Sequence, residues 1–153
     1  MNIVRSLYLI RHSSKCLYSN MSNKIPNEEE LKNRLTPLQY HVTQEKGTEQ
    51  AFTGCYDNTF DSGVYECICC KQPLFSSNTK YDSGCGWPAF NNVVDEGRVK
   101  LSPDLSSGRY RTEVTCSNCN AHLGHVFDDG PSPTKRRFCI NSASINFIPK
   151  EKK

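Results

Sequence analysis

Between residues 52 and 148 hydrophobic and polar positions alternate in short runs rather than in helical stripes. Gly63-Val64-Tyr65-Glu66-Cys67, Val93-Val94, Arg109 to Val114, Gly124-His125-Val126-Phe127 and Phe138 to Ile148 read as strands. A pleated chain sends successive side chains to opposite faces, and these runs fit that period. Asp82-Ser83-Gly84, Ser106-Ser107-Gly108 and Asp129-Gly130-Pro131 separate them with turn residues. Upstream, the pattern is helical. Asn27 is placed to cap a short helix opened by Glu28-Glu29-Glu30, acids that the positive end of a helix dipole favours. Thr36-Pro37-Leu38-Gln39 spells an N-cap, a proline at the first helical position and a glutamine able to reach back to the cap. A second helix should therefore run to about Glu45 and stop at Gly47, with Leu31, Leu35, Leu38 and Val42 lying on the domain as a clasp. The expected fold is mainly β: two packed antiparallel sheets with short N-terminal helices.

A chain of 153 residues suits one domain, expected over residues 27–150, ending in the solvated tail Lys150-Glu151-Lys152-Lys153. A hydrophobic share of 36% is thin for a core, so a further staple is expected. No apolar run approaches the roughly 20 residues of a membrane helix. Residues 1–20 hold three of the 19 basic residues, Arg5, Arg11 and Lys15, and none of the 16 acidic ones, so the remainder is balanced in charge. That balance argues against nucleic acid as a partner, because phosphate binding needs a basic surface. Residues 1–22 have the make-up of a mitochondrial transit peptide, or else of a disordered leader, and Met21 offers a second start for a cytosolic form.

The staple is visible among the nine cysteines, an odd number that does not suit a secreted disulfide framework. Cys67–Cys70 and Cys116–Cys119 are two C-x-x-C pairs, the one internal repeat in the chain. Each closes a tight turn that aims two sulfurs at one point, and two such turns suit a tetrahedral Zn2+ site. Iron or a pair of disulfides are the alternatives, and Cys69 and Cys70 are open to exchanging roles. A closed four-cysteine site has no position left for substrate, so the ion would be structural and would contribute folding energy.

Three other features carry chemistry. In Arg136-Arg137-Phe138-Cys139-Ile140-Asn141, strand alternation would bury Phe138 and Ile140 and turn Arg137, Cys139 and Asn141 the other way. Neighbouring positive charge would lower the Cys139 pKa and favour its thiolate, although a buried structural cysteine fits the same pattern. Ser83-Gly84-Cys85-Gly86-Trp87-Pro88 puts a thiol on a turn expected to be exposed and mobile, where it is either merely tolerated or free to meet an oxidised partner. Trp87 there belongs to the core or walls a pocket. His122 and His125 follow the second knuckle, as proton donors or as metal ligands, with the four cysteines already completing a site.

Taken together, Cys67–Cys70, Cys116–Cys119, Ser83 to Phe90, His122-Leu123-Gly124-His125-Val126-Phe127 and Arg137 to Ser142 resemble the methionine-R-sulfoxide reductases, the MsrB family, over roughly residues 30–148. The resemblance implies a Zn2+-bearing fold of two antiparallel sheets that reduces methionine-R-sulfoxide in oxidised proteins, a repair reaction under oxidative stress. It makes Cys139 the nucleophile and Cys85 the resolving thiol, and assigns zinc to the C-x-x-C pairs. His122, His125 and Asn141 fall at active-site positions, and Trp87, Phe127 and Arg137 at substrate-binding ones. It implies thioredoxin as reductant and a monomer as the working form. Ala89 departs from the pattern, where serine is common, and Cys55 and Cys69 are additions without an implied role. Rival classes lack their signatures: a zinc deaminase needs H-x-E with P-C-x-x-C, and a thioredoxin-type protein needs one C-x-x-C on a βαβ unit.

Overall fold

The computed structural model describes residues 24–152; the leader at 1–22, with Cys16, lies outside them. Two helices open the described chain, α1 (Glu28–Arg34) and α2 (Pro37–Gln44). The caps are those the sequence spells. Asn27 accepts from the Glu30 N–H, and Thr36 and Gln39 satisfy each other's backbone N–H groups as a capping box. Leu31, Leu35 and Val42 are buried as the clasp requires, but Leu38 faces solvent. Leu38 is the residue after the helix-opening proline, on the outer side of the first turn. Arg34 fastens α1 by donating to the carbonyls of Ile68 and Cys69 at 2.8 and 2.6 Å.

Nine strands follow: β1 (Gly63–Cys67), β2 (Pro73–Ser76), β3 (Lys80–Tyr81), β4 (Ala89–Phe90), β5 (Val99–Asp104), β6 (Arg111–Cys116), β7 (His122–Phe127), β8 (Arg137–Ile140) and β9 (Ile145–Pro149). They form two antiparallel sheets, ordered β2-β1-β9 and β3-β4-β8-β7-β6-β5. Four strands went unread in the sequence. β2 opens on a proline, β3 and β4 are two residues long, and β5 is an edge strand carrying Pro103, whose missing N–H is tolerated at an edge. Val93-Val94 is not a strand; it lies in the connection between β4 and β5. The run from Phe138 to Ile148 is two strands in different sheets, parted by a 3-10 turn at Ser142–Ser144. The chain thus leaves the large sheet within three residues of Cys139.

The core is where the two sheets meet. Tyr65 and Phe75 from the small sheet face Phe90 and Phe138 from the large one, all fully buried. Phe75 stacks on Phe90 with ring centroids 4.4 Å apart, and Tyr65 meets Phe90 edge-on at 5.2 Å. Such pairs add to the burial of their area. Phe75→Ala should therefore cost about 3–5 kcal/mol in denaturant unfolding. A loss below about 1 kcal/mol, the size of an ordinary surface change, would mean that this stack does not join the sheets.

Candidate active site and metal centre

The two C-x-x-C turns are built alike. In the first, Lys71 N–H donates to the Cys67 carbonyl and Cys67 N–H to the Gln72 carbonyl, at 2.9 and 2.8 Å. In the second, Asn120 N–H donates to Cys116 O and Cys116 N–H to Ala121 O, both at 2.9 Å. Lys71 and Asn120 both take left-handed φ, 64° and 61°, so each turn closes tightly after its second cysteine. Gln72 joins them, donating to Arg98 O and to Ser117 Oγ. The sulfurs of Cys67, Cys70, Cys116 and Cys119 all lie within 4.8 Å of one another, with the pairs Cys67–Cys119 and Cys70–Cys116 at 3.6 Å. Sulfurs around a tetrahedral ion with bonds of about 2.3 Å stand about 3.8 Å apart, so this donor set could hold a metal ion. Cys70, not Cys69, completes the quartet, and no histidine belongs to it.

Cys139 sits in the middle of the large sheet. Its strand β8 is paired on both sides, with Ala89 opposite Cys139 on β4 and His125 opposite it on β7. Phe138 and Ile140 are fully buried while Arg137 and Cys139 are half-buried, which is the alternation the sequence shows. Gly124 lets β7 lie close: a Cβ there would stand 2.0 Å from the Cys139 carbonyl oxygen. On the other side, the loop of Gly84 and Gly86, at φ 71° and 91°, brings the Cys85 Sγ to 3.6 Å from the Cys139 Sγ. This thiol is half-buried rather than exposed on a free turn. It is held by Ser83 Oγ at 3.0 Å and the Trp87 carbonyl at 3.3 Å, and Phe52 N–H ties the loop at Gly86 O.

The two thiols lie within hydrogen-bonding distance of each other. The hydrogen bond with Cys139 pulls the Cys85 thiol down to about 5, helped by Ser83, the Trp87 main chain and Arg137 against the opposing effect of burial. Cys139 is pushed well up, first by that same hydrogen bond and then by burial; Arg137 opposes this only weakly. The sequence reading put the thiolate on Cys139 because of its cationic neighbours. The guanidinium of the nearest, Arg137, is engaged by both Asp129 oxygens, at 2.8 and 3.0 Å, and lies over the Phe127 ring.

Cys139, Trp87, His125, Phe127 and Asn141 line one small open cleft of about 90 Å³, together with Thr48, Arg111 and Gly124. His125 Nε2 meets Asp104 Oδ2 at 2.7 Å, and Asp104 also faces Arg111 at 3.4 Å. Hydrogen bonds from Ser106 and then His125 hold the Asp104 carboxyl well below the usual carboxylate range. His122 does not line this cleft. It is buried behind His125, ring centroids 5.5 Å apart, with Glu113 Oε2 3.4 Å from its Nδ1, and burial lowers its pKa. Arg137 likewise stands behind Phe127. Sequence reading did not find Thr48, Asp104 or Arg111. They arrive from a loop and from two strands distant in the chain, and carry no spacing signal.

The SelR domain family matches residues 35–149. Methionine-R-sulfoxide reductase B1 of Drosophila melanogaster is 59% identical over 84% of this chain and 68% of its own length. Methionine-R-sulfoxide reductase B3, mitochondrial, of Mus musculus is 53% identical over 90% of this chain, which spans 54% of that protein. Peptide methionine sulfoxide reductase MsrB of Escherichia coli is 53% identical over 86% of this chain and 95% of its own length.

The hydrogen-bonded pair of thiols has a pH signature. The lowered Cys85 pKa means the charged form is present above about pH 5 and is lost as pH falls through that value. Iodoacetamide should therefore label the native protein quickly down to about pH 5, with Cys85 as the fast site by peptide mapping. Cys55, whose thiol burial pushes up, should react only at higher pH. In Cys85→Ser the acid limb should move towards the ordinary thiol value of about 8.5. A limb that stays put in that variant would sink the lowered Cys85 pKa.

Proposed function

The chain belongs to the SelR-domain family of methionine-R-sulfoxide reductases, and we propose that it reduces methionine-R-sulfoxide in oxidised proteins through Cys139 and Cys85. The observation that carries this reading is the pair of sulfurs 3.6 Å apart, with Cys139 on a cleft that also holds His125. As the sulfoxide seats, the proton shared by the thiols passes from Cys139 to Cys85. Cys139, now the thiolate, attacks the sulfoxide sulfur. His125, oriented by Asp104, gives a proton to the oxygen as the sulfur–oxygen bond breaks, which leaves Cys139 bonded to the substrate sulfur and frees the oxygen as hydroxide. That hydroxide attacks the Cys139 sulfur, the bond between Cys139 and the substrate sulfur breaks, methionine leaves, and Cys139 becomes a sulfenic acid. Cys85 then attacks the Cys139 sulfur, its proton joins the leaving hydroxide, and water departs as the disulfide forms. An external dithiol, thioredoxin in this reading, reduces that disulfide and is itself oxidised to one.

The other residues serve this scheme without entering a bond. Trp87 and Phe127 wall the space for the substrate methyl group, and Asn141 orients the polar end. Arg137 keeps Phe127 covered, and His122 backs His125. The ion in the cysteine quartet is Zn2+ and structural. Four thiolates leave it no open position, and its turns lie at the ends of β1 and β6, one from each sheet. The catalytic domain spans 27–150, needs one copy of the chain and has no call for nucleic acid. Among the described residues no helix is long and apolar enough to cross a membrane. The basic leader, and the mitochondrial name of the mouse relative, support a mitochondrial form that repairs proteins under oxidative stress, with a cytosolic form begun at Met21.

Two assays test the chemistry. With the separated epimers of a methionine sulfoxide peptide, Cys139→Ser should lose all turnover on the R epimer. Cys85→Ser should release about one methionine per chain in a single turnover and then stall with thioredoxin. Normal recycling by Cys85→Ser would remove Cys85 from the scheme. For the metal, native mass spectrometry should find one zinc per chain, and Cys119→Ser should lose it and cost at least about 3 kcal/mol of stability. A Cys119→Ser protein as stable as the parent would refute a structural ion.

A further inference from the structure

Residues 45–62 form neither helix nor strand, yet Thr48 from this stretch lines the cleft. Something must hold such a segment against its own conformational entropy. Glu49 is 3% exposed, which is unusual for a carboxylate, and among the described residues no lysine or arginine pairs with it. Its Oε1 accepts from the Ser142 N–H at 2.8 Å and its Oε2 from the Ala143 N–H at 2.9 Å. Those two N–H groups open the 3-10 turn that follows β8. A turn of this kind is ordinarily capped by the side chain of the residue before it.

That residue is Asn141, and it makes no cap. Its amide is committed elsewhere: Oδ1 accepts from the Glu49 N–H at 3.0 Å, and Nδ2 donates to the Leu123 carbonyl at 3.0 Å. Glu49 and Asn141 have thus exchanged duties. The carboxylate caps the turn from 92 residues upstream of Asn141, and this frees the asparagine amide to be fixed in the cleft wall. The Glu49 carbonyl in turn accepts from Trp87 Nε1 at 3.1 Å. One residue therefore holds three walls of the cleft, at Thr48, Trp87 and Asn141. The fit is tight, since a Cβ on Gly54 would stand 2.6 Å from Glu49 Oε1.

We propose that Glu49 is a positioning residue for the reaction: its buried carboxylate caps the turn after the Cys139 strand, and its main chain sets Trp87 and Asn141 at the substrate. The proposal rests on the reading above that these two residues receive the sulfoxide. In Glu49→Gln the side chain keeps its size but turns an N–H2 towards a backbone N–H. The segment loosens and both walls lose their anchor.

The test uses the zinc-loaded full chain. Trp87 is the only tryptophan, so its emission reports this contact directly. Glu49→Gln should keep its zinc, shift that emission to the red, and raise KM for a peptide R-sulfoxide about tenfold with a smaller change in kcat. A folded, zinc-loaded variant with unchanged emission and KM would overturn the proposal. Should the variant fail to fold, hydrogen exchange in the parent decides. The Trp87 indole N–H and the Ser142 and Ala143 amides must be protected; exchange at free-peptide rates would overturn the proposal equally. If the parent itself leaves the R epimer untouched, the reductase reading falls, while emission and exchange still show whether Glu49 holds the walls.

Discussion

Strand β8 is paired along both edges, and the placement of the reactive thiol depends on it. Main-chain bonds to β4 and β7 fix the strand's rotation, and the burial of Phe138 and Ile140 fixes which face is inward. Cys139 then has no freedom to turn into the core. It is delivered to the cleft beside His125, which lies directly opposite in the ladder. The register that gives the small sheet and the large sheet a common core is the same register that aligns the chemistry.

Two devices compensate for what this core lacks. The cysteine quartet gathers the ends of β1 and β6 to one point, so that the two sheets are joined by sulfur where apolar area is short. The buried Glu49 carboxylate does the corresponding work for the irregular segment over the cleft. Both are polar solutions placed at positions where a hydrophobic contact would not define an orientation. A hydrogen bond has direction, and burial raises the cost of leaving it unmade.

Electrostatics in the cleft follow from pairing rather than from a count of charges. Arg137 stands two residues from Cys139 and next to Phe138, and by sequence it is the cation nearest in the chain to Cys139. In space its charge is engaged by Asp129, and the stronger influence on Cys139 is the second thiol at 3.6 Å. A close hydrogen-bonded neighbour outweighs a cation whose charge is already shared. The hydrogen bond between the pair lowers the Cys85 thiol and raises the deeper Cys139.

What the sequence determined by itself was whatever depends on near neighbours. The N-cap of α1 and the capping box of α2 were legible because a cap acts within four residues, and the knuckles because C-x-x-C closes its own turn. The two faces of β8 were legible because a strand alternates with period two. Tertiary structure alone decided the rest. The two-residue strands β3 and β4 have no periodicity to read, and Pro103 hides β5. Val93-Val94 looks like a strand only when its neighbours are unknown. Asp104 reaches His125 from across the sheet, and Glu49 replaces a cap that Asn141 would locally have made. In each case a contact between distant parts of the chain competed with a local preference and won, because only the folded chain brings the partner within hydrogen-bonding distance.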